Sequence, residues 1–275
     1  MSEMAIALDC LSAGYGGEDV IHDLSLQVGS GELIAVLGPN GSGKSTLLKV
    51  LLGLLKPTSG SALLWGDEPR VANRHIGYIP QHRDFDADLP IRGRELVELG
   101  ISGMHYGIPW SKKTTRVQVD RAIEQVGARG YADAPVGMLS GGEQQRLRIA
   151  QALIGNPNIL LCDEPLLALD LKRQQEITGV INHFRTDHDT AVLFVTHEIN
   201  PILPYVDRVL YLVNGRAAIG EPHEVLTTER LTDLYGIPVD VHDHNGRIMV
   251  IAGEEGTSGL TGHHHDHQHE ERPWT

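Results

Sequence analysis

The chain has 275 residues, of which 41% are hydrophobic and 21% charged, and it carries a formal net charge of −13 at pH 7. This is an ordinary composition for a globular protein with one large domain. The acidic charge argues against sequence-independent binding of DNA or RNA, which requires a surplus of lysine and arginine. We therefore expect no nucleic-acid partner.

The sequence shows no segment that would carry the chain across a membrane. No apolar run approaches the roughly 20 residues that a bilayer-spanning helix requires, and the first residues lack the basic and apolar regions of a secretory signal. The two cysteines, Cys10 and Cys162, are too few for a disulfide framework. These features predict a cytoplasmic protein.

In chain order, the hydrophobic pattern alternates between strands and helices. Short apolar runs bounded by glycine-containing turns predict strands at residues 5–11, 24–28, 33–37, 62–65, 76–79, 159–162 and 191–195. The helical spacing of apolar residues predicts helices after Gly43 and at residues 94–99, 117–126, 143–154 and 171–184. Strands that alternate with helices in this way favour an α/β fold with a parallel sheet.

The same pattern divides the chain into regions. Strand signals vanish and helical signals take over at residues 89–156, which predicts a helical insertion into a discontinuous core made of residues 1–88 and 157–236. Residues 237–252 are predicted to form a short C-terminal extension. Residues 253–275 are polar and rich in glycine and histidine, which predicts a disordered tail.

A glycine-rich segment between a predicted strand and a predicted helix has the pattern of a phosphate-binding loop. Glycines allow the backbone to turn sharply and to aim its N–H groups at a phosphate, and the helix N-terminus adds a favourable dipole. The lysine can reach the β- and γ-phosphates, and the serine after it can ligate Mg²⁺. The residues of the segment are Gly38, Pro39, Asn40, Gly41, Ser42, Gly43, Lys44, Ser45 and Thr46.

Two carboxylates follow the apolar strand at residues 159–162. A buried strand that ends beside the phosphate loop would deliver Asp163 to the Mg²⁺ shell. Glu164 would point elsewhere and can polarise a water molecule for attack on the γ-phosphate.

A second anion-binding pattern is the segment LSGGEQQR at residues 139–146. Ser140, Gly141 and Gly142 offer a hydroxyl and exposed N–H groups at the start of a helix. One chain thus carries two surfaces that attract phosphate, which suggests that two chains clamp the nucleotide between them.

Taken together, these motifs resemble those of the ATP-binding cassette (ABC) family over residues 4–236. Further matching segments are YIPQ at residues 78–81, ALD at 168–170 and VTH at 195–197, with Tyr15 at the place of an adenine-stacking aromatic residue. The resemblance implies an α/β fold with a RecA-like P-loop core, an antiparallel β subdomain and an inserted helical subdomain.

The resemblance also implies roles for individual residues. Lys44, Ser45 and Asp163 would hold ATP with Mg²⁺, and Gln81 would sense the γ-phosphate and the metal. Glu164 would be the general base, and His197 would hold the γ-phosphate and the attacking water in place.

The remaining residues that the resemblance assigns lie toward a second subunit. Ser140 and Gly142 would contact the γ-phosphate held by the opposite subunit, and Asp170 would join the two sites across the dimer.

A single cassette with no membrane span implies the ATPase subunit of a transporter whose permease is a separate integral membrane chain. Such a subunit would dimerise on ATP and lie on the inner face of the cell membrane. Within the family, residues 78–100 and 230–241 are most similar to zinc, manganese and iron importers. This similarity implies import of zinc or manganese with the help of an extracytoplasmic metal-binding protein.

Other functions stay open. In one alternative, the chain is the same ATPase but the cargo is a siderophore, an organic solute or an exported molecule. A soluble ATPase switch without a membrane partner is another, and a metal-buffering protein with an inactive cassette is a third.

The tail adds metal-binding chemistry, because imidazole is a ligand that Zn²⁺, Ni²⁺ and Cu²⁺ prefer. A purification tag would be an unbroken histidine run, whereas this run is interrupted. The remaining alternative to metal binding is a polar tail that only interacts with solvent. The candidate transition-metal ligands are His263, His264, His265, His267 and His269.

Overall fold

The computed structural model describes residues 4–72, 75–81, 85–86, 88–102, 112–167 and 169–252. Within these ranges, no helix is both long enough and apolar enough to span a membrane. Their strands are β1 (Met4–Tyr15), β2 (Glu18–Gly29), β3 (Leu33–Leu37), β4 (Ser59–Leu64), β5 (Ile76–Ile79), β6 (Ile159–Asp163), β7 (Ala191–Val195), β8 (Arg208–Val213), β9 (Arg216–Gly220), β10 (Val239–His244) and β11 (Arg247–Ala252).

Helices of very different lengths connect these strands. They are α1 (Lys44–Leu51), α2 (Pro69–Ala72), α3 (Gly93–Ser102), α4 (Lys112–Gln125), α5 (Gly141–Leu153), α6 (Leu171–His188), α7 (Pro222–Val225) and α8 (Thr228–Tyr235).

A six-stranded sheet in the order β5-β6-β7-β3-β8-β9 forms the centre of the fold. The first five strands are parallel, and β9 pairs antiparallel with β8 at the edge. Successive side chains of a strand point to opposite faces of its sheet. In β3, all of whose residues are buried, Leu33, Ala35 and Leu37 therefore join one hydrophobic cluster, while Ile34 and Val36 join another.

The two faces of the central sheet are covered by different layers. One face carries the antiparallel sheet β2-β1-β4 together with the apolar side of α1. The other face carries buried side chains of α3, α4, α5, α6 and α8. Both faces of the parallel strands are thus buried, as their continuous apolar sequences require.

Close approaches and ion pairs hold the helices α3, α4 and α5 together. A Cβ atom at Gly100 of α3 would overlap the carbonyl oxygen of Gln151 in α5, so only glycine allows the two backbones to come this close. From α3, the guanidinium of Arg94 reaches Asp120 of α4 at 2.5 Å and Asp133 at 3.0 Å.

A two-stranded hairpin, β10-β11, ends the described part of the chain. Asn245 and Gly246 form its turn with φ of 55° and 75°, which is the Asn-Gly combination that tight hairpins favour. The N–H groups of Val239 and Val241 donate to the hydroxyls of Thr232 and Thr228 in α8, at 3.0 and 2.9 Å. The hairpin is therefore fastened to α8 rather than separate from the fold.

Candidate ATP site

The predicted phosphate-binding loop joins the carboxyl end of β3 to the N-terminus of α1. The ammonium of Lys44 turns back and donates to the carbonyl oxygens of Gly38 and Pro39, both at 2.7 Å. This closes the loop into a ring with Lys44 on its inner side. Asn40, Gly41 and Ser45 are exposed, whereas Ser42, Gly43 and Thr46 are buried.

All three glycines of the loop have backbone conformations that other residues rarely adopt, and at two of them a side chain would also meet a neighbour. Gly38 has a φ of 139°, and a Cβ atom there would overlap the carbonyl oxygen of Leu212 in β8. Gly43 has a φ of 104°, and its Cβ atom would lie 2.9 Å from Ile21. The loop can follow this path only because both residues lack a side chain.

The loop suits a phosphate. The hydroxyl oxygen of Ser42 is buried and has no hydrogen-bond partner among the described residues, and such an atom normally has one. Burial lowers the pKa of Lys44, and the carboxylates of Glu164 and Asp163 partly oppose this. A buried ammonium and an unpaired hydroxyl beside a helix N-terminus are groups that a phosphate anion would satisfy.

The two predicted carboxylates lie at the end of β6 and point to different partners. Asp163 accepts a 3.3 Å hydrogen bond from the hydroxyl of Tyr78. Glu164 has a φ of 49°, a left-handed conformation that is unfavourable for a residue with a side chain. The two carboxylates therefore have different hydrogen-bond partners.

The carboxylate of Glu164 is held between two other predicted site residues. His197 Nε2 lies 2.5 Å from one of its oxygens, and Gln81 Nε2 donates to the other at 3.1 Å. His197 follows β7 and Gln81 follows β5. Three strand ends therefore meet at a single carboxylate.

Burial raises the pKa of Asp163, and the charge of Glu164 adds to this effect, while the Tyr78 hydroxyl and Lys44 oppose it. The raised pKa means that the negative charge is poorly solvated where it stands. A divalent cation would relieve this cost, and carboxylate oxygen is a ligand that Mg²⁺ prefers. The donor set therefore fits Mg²⁺ bound with ATP.

Tyr15 ends β1 and is 49% exposed. The ammonium of Lys49 in α1 lies 5.3 Å from the centre of its ring, which is within cation–π distance. Helix α1, which follows the phosphate loop, therefore also contacts the ring of Tyr15 through Lys49.

The predicted second anion surface begins α5. The N–H and the hydroxyl of Ser140 both donate to Glu143, at 2.9 and 2.8 Å. The N–H groups of Gly141 and Gly142 have no acceptor among the described residues. No hydrogen bond or ion pair in the described ranges joins residues 140–142 to the phosphate loop.

Asp170 acts as the N-cap of α6. Its carboxylate accepts from the N–H of Arg173 at 3.0 Å and forms an ion pair with the guanidinium of the same residue at 3.3 Å. The guanidinium of Arg173 also packs beside Gly142, where a Cβ atom would lie 3.0 Å from it. Sequence reasoning assigned no role to Arg173 or to Tyr78, although Tyr78 lies within the YIPQ segment.

Several predicted residues lie outside the described ranges. They are Ala168 of the ALD segment and His263, His264, His265, His267 and His269 of the tail.

Comparison with known proteins identifies the family. The sequence model of the ABC transporter family matches residues 21–167, which is more than half of the chain. The chain belongs to the ABC transporter family. It is the ATPase subunit of such a transporter and binds ATP with Mg²⁺.

Two curated relatives illustrate the match. The zinc import ATP-binding protein ZnuC of Pseudomonas syringae pv. syringae (strain B728a) is 32% identical over 270 residues, covering 98% of this chain and 90% of the relative. The manganese transport system ATP-binding protein MntB of Bacillus subtilis (strain 168) is 35% identical over 231 residues, covering 84% and 92%.

Solved structures share the fold. The ATP-binding cassette MJ0796, in a dimeric post-hydrolysis state bound to ADP and Pi, superimposes with a TM-score of 0.69 at 28% identity, over 78% of this chain and 98% of that chain. The cbiO1 protein of Clostridium perfringens, part of the complex cbiONQ, gives a TM-score of 0.73 at 27% identity, over 84% and 94%. The predicted α/β fold with a P-loop core is confirmed.

The geometry of the phosphate loop predicts that Gly38 tolerates substitution far less than Gly41. Gly38→Ala introduces a strained φ and an overlap with a backbone carbonyl, which together should cost about 3 kcal/mol or more of folding free energy. Gly41 has a φ of 80° but open space around a Cβ atom, so Gly41→Ala should cost about 1 kcal/mol. Urea unfolding of both variants without nucleotide measures the difference. Equal losses would show that the contact with Leu212 is unimportant.

Proposed function

We propose that the chain hydrolyses ATP at the residues assembled around Glu164 and that this hydrolysis drives the import of zinc or manganese. The observation that carries the catalytic part is the carboxylate of Glu164 held between His197 and Gln81. The names of the zinc and manganese relatives support the cargo.

In this proposal, the phosphate loop binds the nucleotide. Its N–H groups, the Ser42 hydroxyl and the Lys44 ammonium surround the phosphates, and the exposed ring of Tyr15 offers a surface for the adenine. Ser45, Gln81 and Asp163 would hold Mg²⁺, which neutralises negative charge that develops on the phosphates.

Glu164 accepts the proton of the attacking water. His197 and Gln81 fix the carboxylate by its two oxygens, so that the base is already oriented when ATP binds. Orientation in advance lowers the barrier because little ordering remains for the reaction step.

The second anion surface supports a dimer with two-fold symmetry. The N–H groups of Gly141 and Gly142 have no acceptor among the described residues, and no hydrogen bond or ion pair there joins residues 140–142 to the phosphate loop of the same chain. In a symmetric dimer, Ser140, Gly141 and Gly142 of one copy would meet the nucleotide of the other, with Asp170 near the shared boundary. The dimeric state of the cassette MJ0796 supports the dimer in this proposal.

The further partners in this proposal are a separate integral membrane permease and an extracytoplasmic metal-binding protein. The chain would then act as a peripheral protein on the inner face of the cell membrane. The permease surface is expected near residues 81–94. Within it, the Arg92 side chain is exposed, whereas Arg94 is engaged by Asp120 and Asp133, so charge changes at Arg94 would also disturb the packing of α3.

Removing the proton acceptor tests the catalytic assignment. Glu164→Gln should bind ATP with Mg²⁺ within about twofold of the unchanged protein and lower kcat by about 100-fold or more, because the amide cannot accept the proton. Lys44→Ala should weaken nucleotide binding itself. Binding is measured by equilibrium dialysis and hydrolysis by phosphate release.

Glu229→Gln, a surface change in α8, is the matched control for Glu164→Gln and should leave both quantities unchanged. A Glu164→Gln protein that hydrolyses ATP at a near-normal rate would refute the role of the base.

Elemental analysis of cells tests the cargo. Cells that lack the chain should contain less zinc, or less manganese, when that metal is scarce in the medium. The gene for the unchanged protein should restore the content, whereas Glu164→Gln should not. Unchanged zinc and manganese contents in the deficient cells would contradict metal import and favour another cargo.

The tail is proposed as a separate site for Zn²⁺. Neutral imidazole binds the metal and imidazolium does not, so the affinity should fall as the pH drops through about 6.5. Calorimetric titration with Zn²⁺ at pH 7.5 should show binding by the full chain and loss of that binding when the five tail histidines are changed to glutamine. Identical titrations would exclude metal binding by these residues.

A further inference from the structure

Asn200 connects the loop that carries His197 to the C-terminal hairpin. Its side-chain nitrogen donates to the carbonyl oxygen of Ile248 at 2.9 Å, and its side-chain oxygen accepts from the N–H of Ile248 at 2.8 Å. Both backbone polar groups of one residue in β11, the N–H and the carbonyl of Ile248, are therefore paired with one carboxamide. The ATP-site motifs do not include Asn200, and the family match ends before it.

A carboxamide can pair in this way because it carries a donor and an acceptor side by side, as a strand backbone does. Among the described residues this sheet has two strands, and the outer edge of β11 would otherwise present backbone groups with no partner there. Asn200 acts as a one-residue substitute for a third strand. The pairing fixes both the distance and the orientation between its own loop and β11.

Apart from the contact of His197 with Glu164, the other described attachments of the loop around His197 are to its own residues and to the core. At its start, the hydroxyl of Thr196 donates to the carbonyl of Glu198 at 2.9 Å and accepts from the N–H of the same residue at 3.1 Å. After it, the buried side chain of Ile202 joins the core. Between these two, the side chain of Ile199 is also buried in the core, and Asn200 ties the loop to the hairpin.

A cavity lies beside this loop, on the side where Asn200 bonds to Ile248. It measures about 290 Å³ and lies between the phosphate loop and the hairpin, where Gly38, His197, Asn200, Ile248 and Val250 line it. The loop is therefore not supported by close packing on this side. The buried side chain of Ile199 anchors the loop to the core, and the hydrogen bonds of Asn200 fix it on the side that faces the hairpin.

We propose that Asn200 is a positioning residue for ATP hydrolysis, and that it acts by fastening the loop of His197 to β11. His197 lies 2.5 Å from the carboxylate of Glu164, so a displaced loop misplaces the group that orients the base. The inference rests on the roles proposed for His197 and Glu164 and adds the hairpin to the structures on which hydrolysis depends.

The test is a double-mutant cycle of Asn200→Ala and His197→Ala, with kcat and KM measured for each protein. Asn200→Ala should lower kcat by about tenfold and leave KM and ATP binding within about twofold, because the nucleotide contacts are untouched. In the His197→Ala background, the same change should lower kcat by less than about twofold, since its effect passes through the missing side chain.

Two further variants separate positioning from a loss of stability. Asn200→Asp keeps the acceptor for the Ile248 N–H but places a carboxylate against the Ile248 carbonyl, so its kcat should fall between those of the unchanged protein and Asn200→Ala. Thr190→Val removes a buried 2.8 Å hydrogen bond to Pro157 at the opposite end of β7. It should reduce the thermal midpoint without lowering kcat.

Each outcome assigns the failure to one of the two proposals. If His197→Ala alone retains normal kcat, the role proposed for His197 is wrong, and the inference falls with it. If His197→Ala is impaired but Asn200→Ala is not, or if the two losses multiply in full, the role of Asn200 alone is overturned. A loss of kcat in Thr190→Val equal to that in Asn200→Ala would likewise overturn it.

Discussion

The parallel arrangement of four neighbouring strands is the constraint on which the site depends. β5, β6, β7 and β3 lie side by side and run in the same direction, so their carboxyl ends share one edge of the sheet. Gln81, Glu164, His197 and the phosphate loop follow these four strands, and they meet although long stretches of sequence separate them. Ligand sites of parallel α/β sheets lie at this edge for the same reason.

Several residues of the site are in conformations or surroundings that are unfavourable for folding. Glu164 has a left-handed backbone, Asp163 carries a poorly solvated charge and Ser42 has a buried hydroxyl without a partner among the described residues. Each feature costs folding free energy on its own. The buried faces of β3, β6 and β7 offset these costs, because nearly all of their side chains lie in the two hydrophobic clusters.

Sequence patterns predicted the buried parallel strands best. The bounds of β3, β5 and β7 agree with the predicted residues 33–37, 76–79 and 191–195, because continuous apolar runs ended by polar residues leave little choice of register. The predicted elements stop at residue 195, whereas the chain continues through β8, β9, two helices and the hairpin. The apolar run of β8 carried a signal. The sequence gives no signal for the role of Asn200. Its partner is the backbone of Ile248, far along the chain, and a residue of any type could supply that backbone.

The central claim is that one chain holds the phosphate loop and the base, while a second copy supplies residues 140–142. Light scattering of Glu164→Gln protein at micromolar concentration tests it most directly, because this variant is expected to bind ATP without consuming it. The account predicts the mass of a dimer with ATP and Mg²⁺ and the mass of a monomer with ADP. With Lys44→Ala added, the protein should stay monomeric in both. The same mass of the free Glu164→Gln protein with ATP and with ADP would contradict the account.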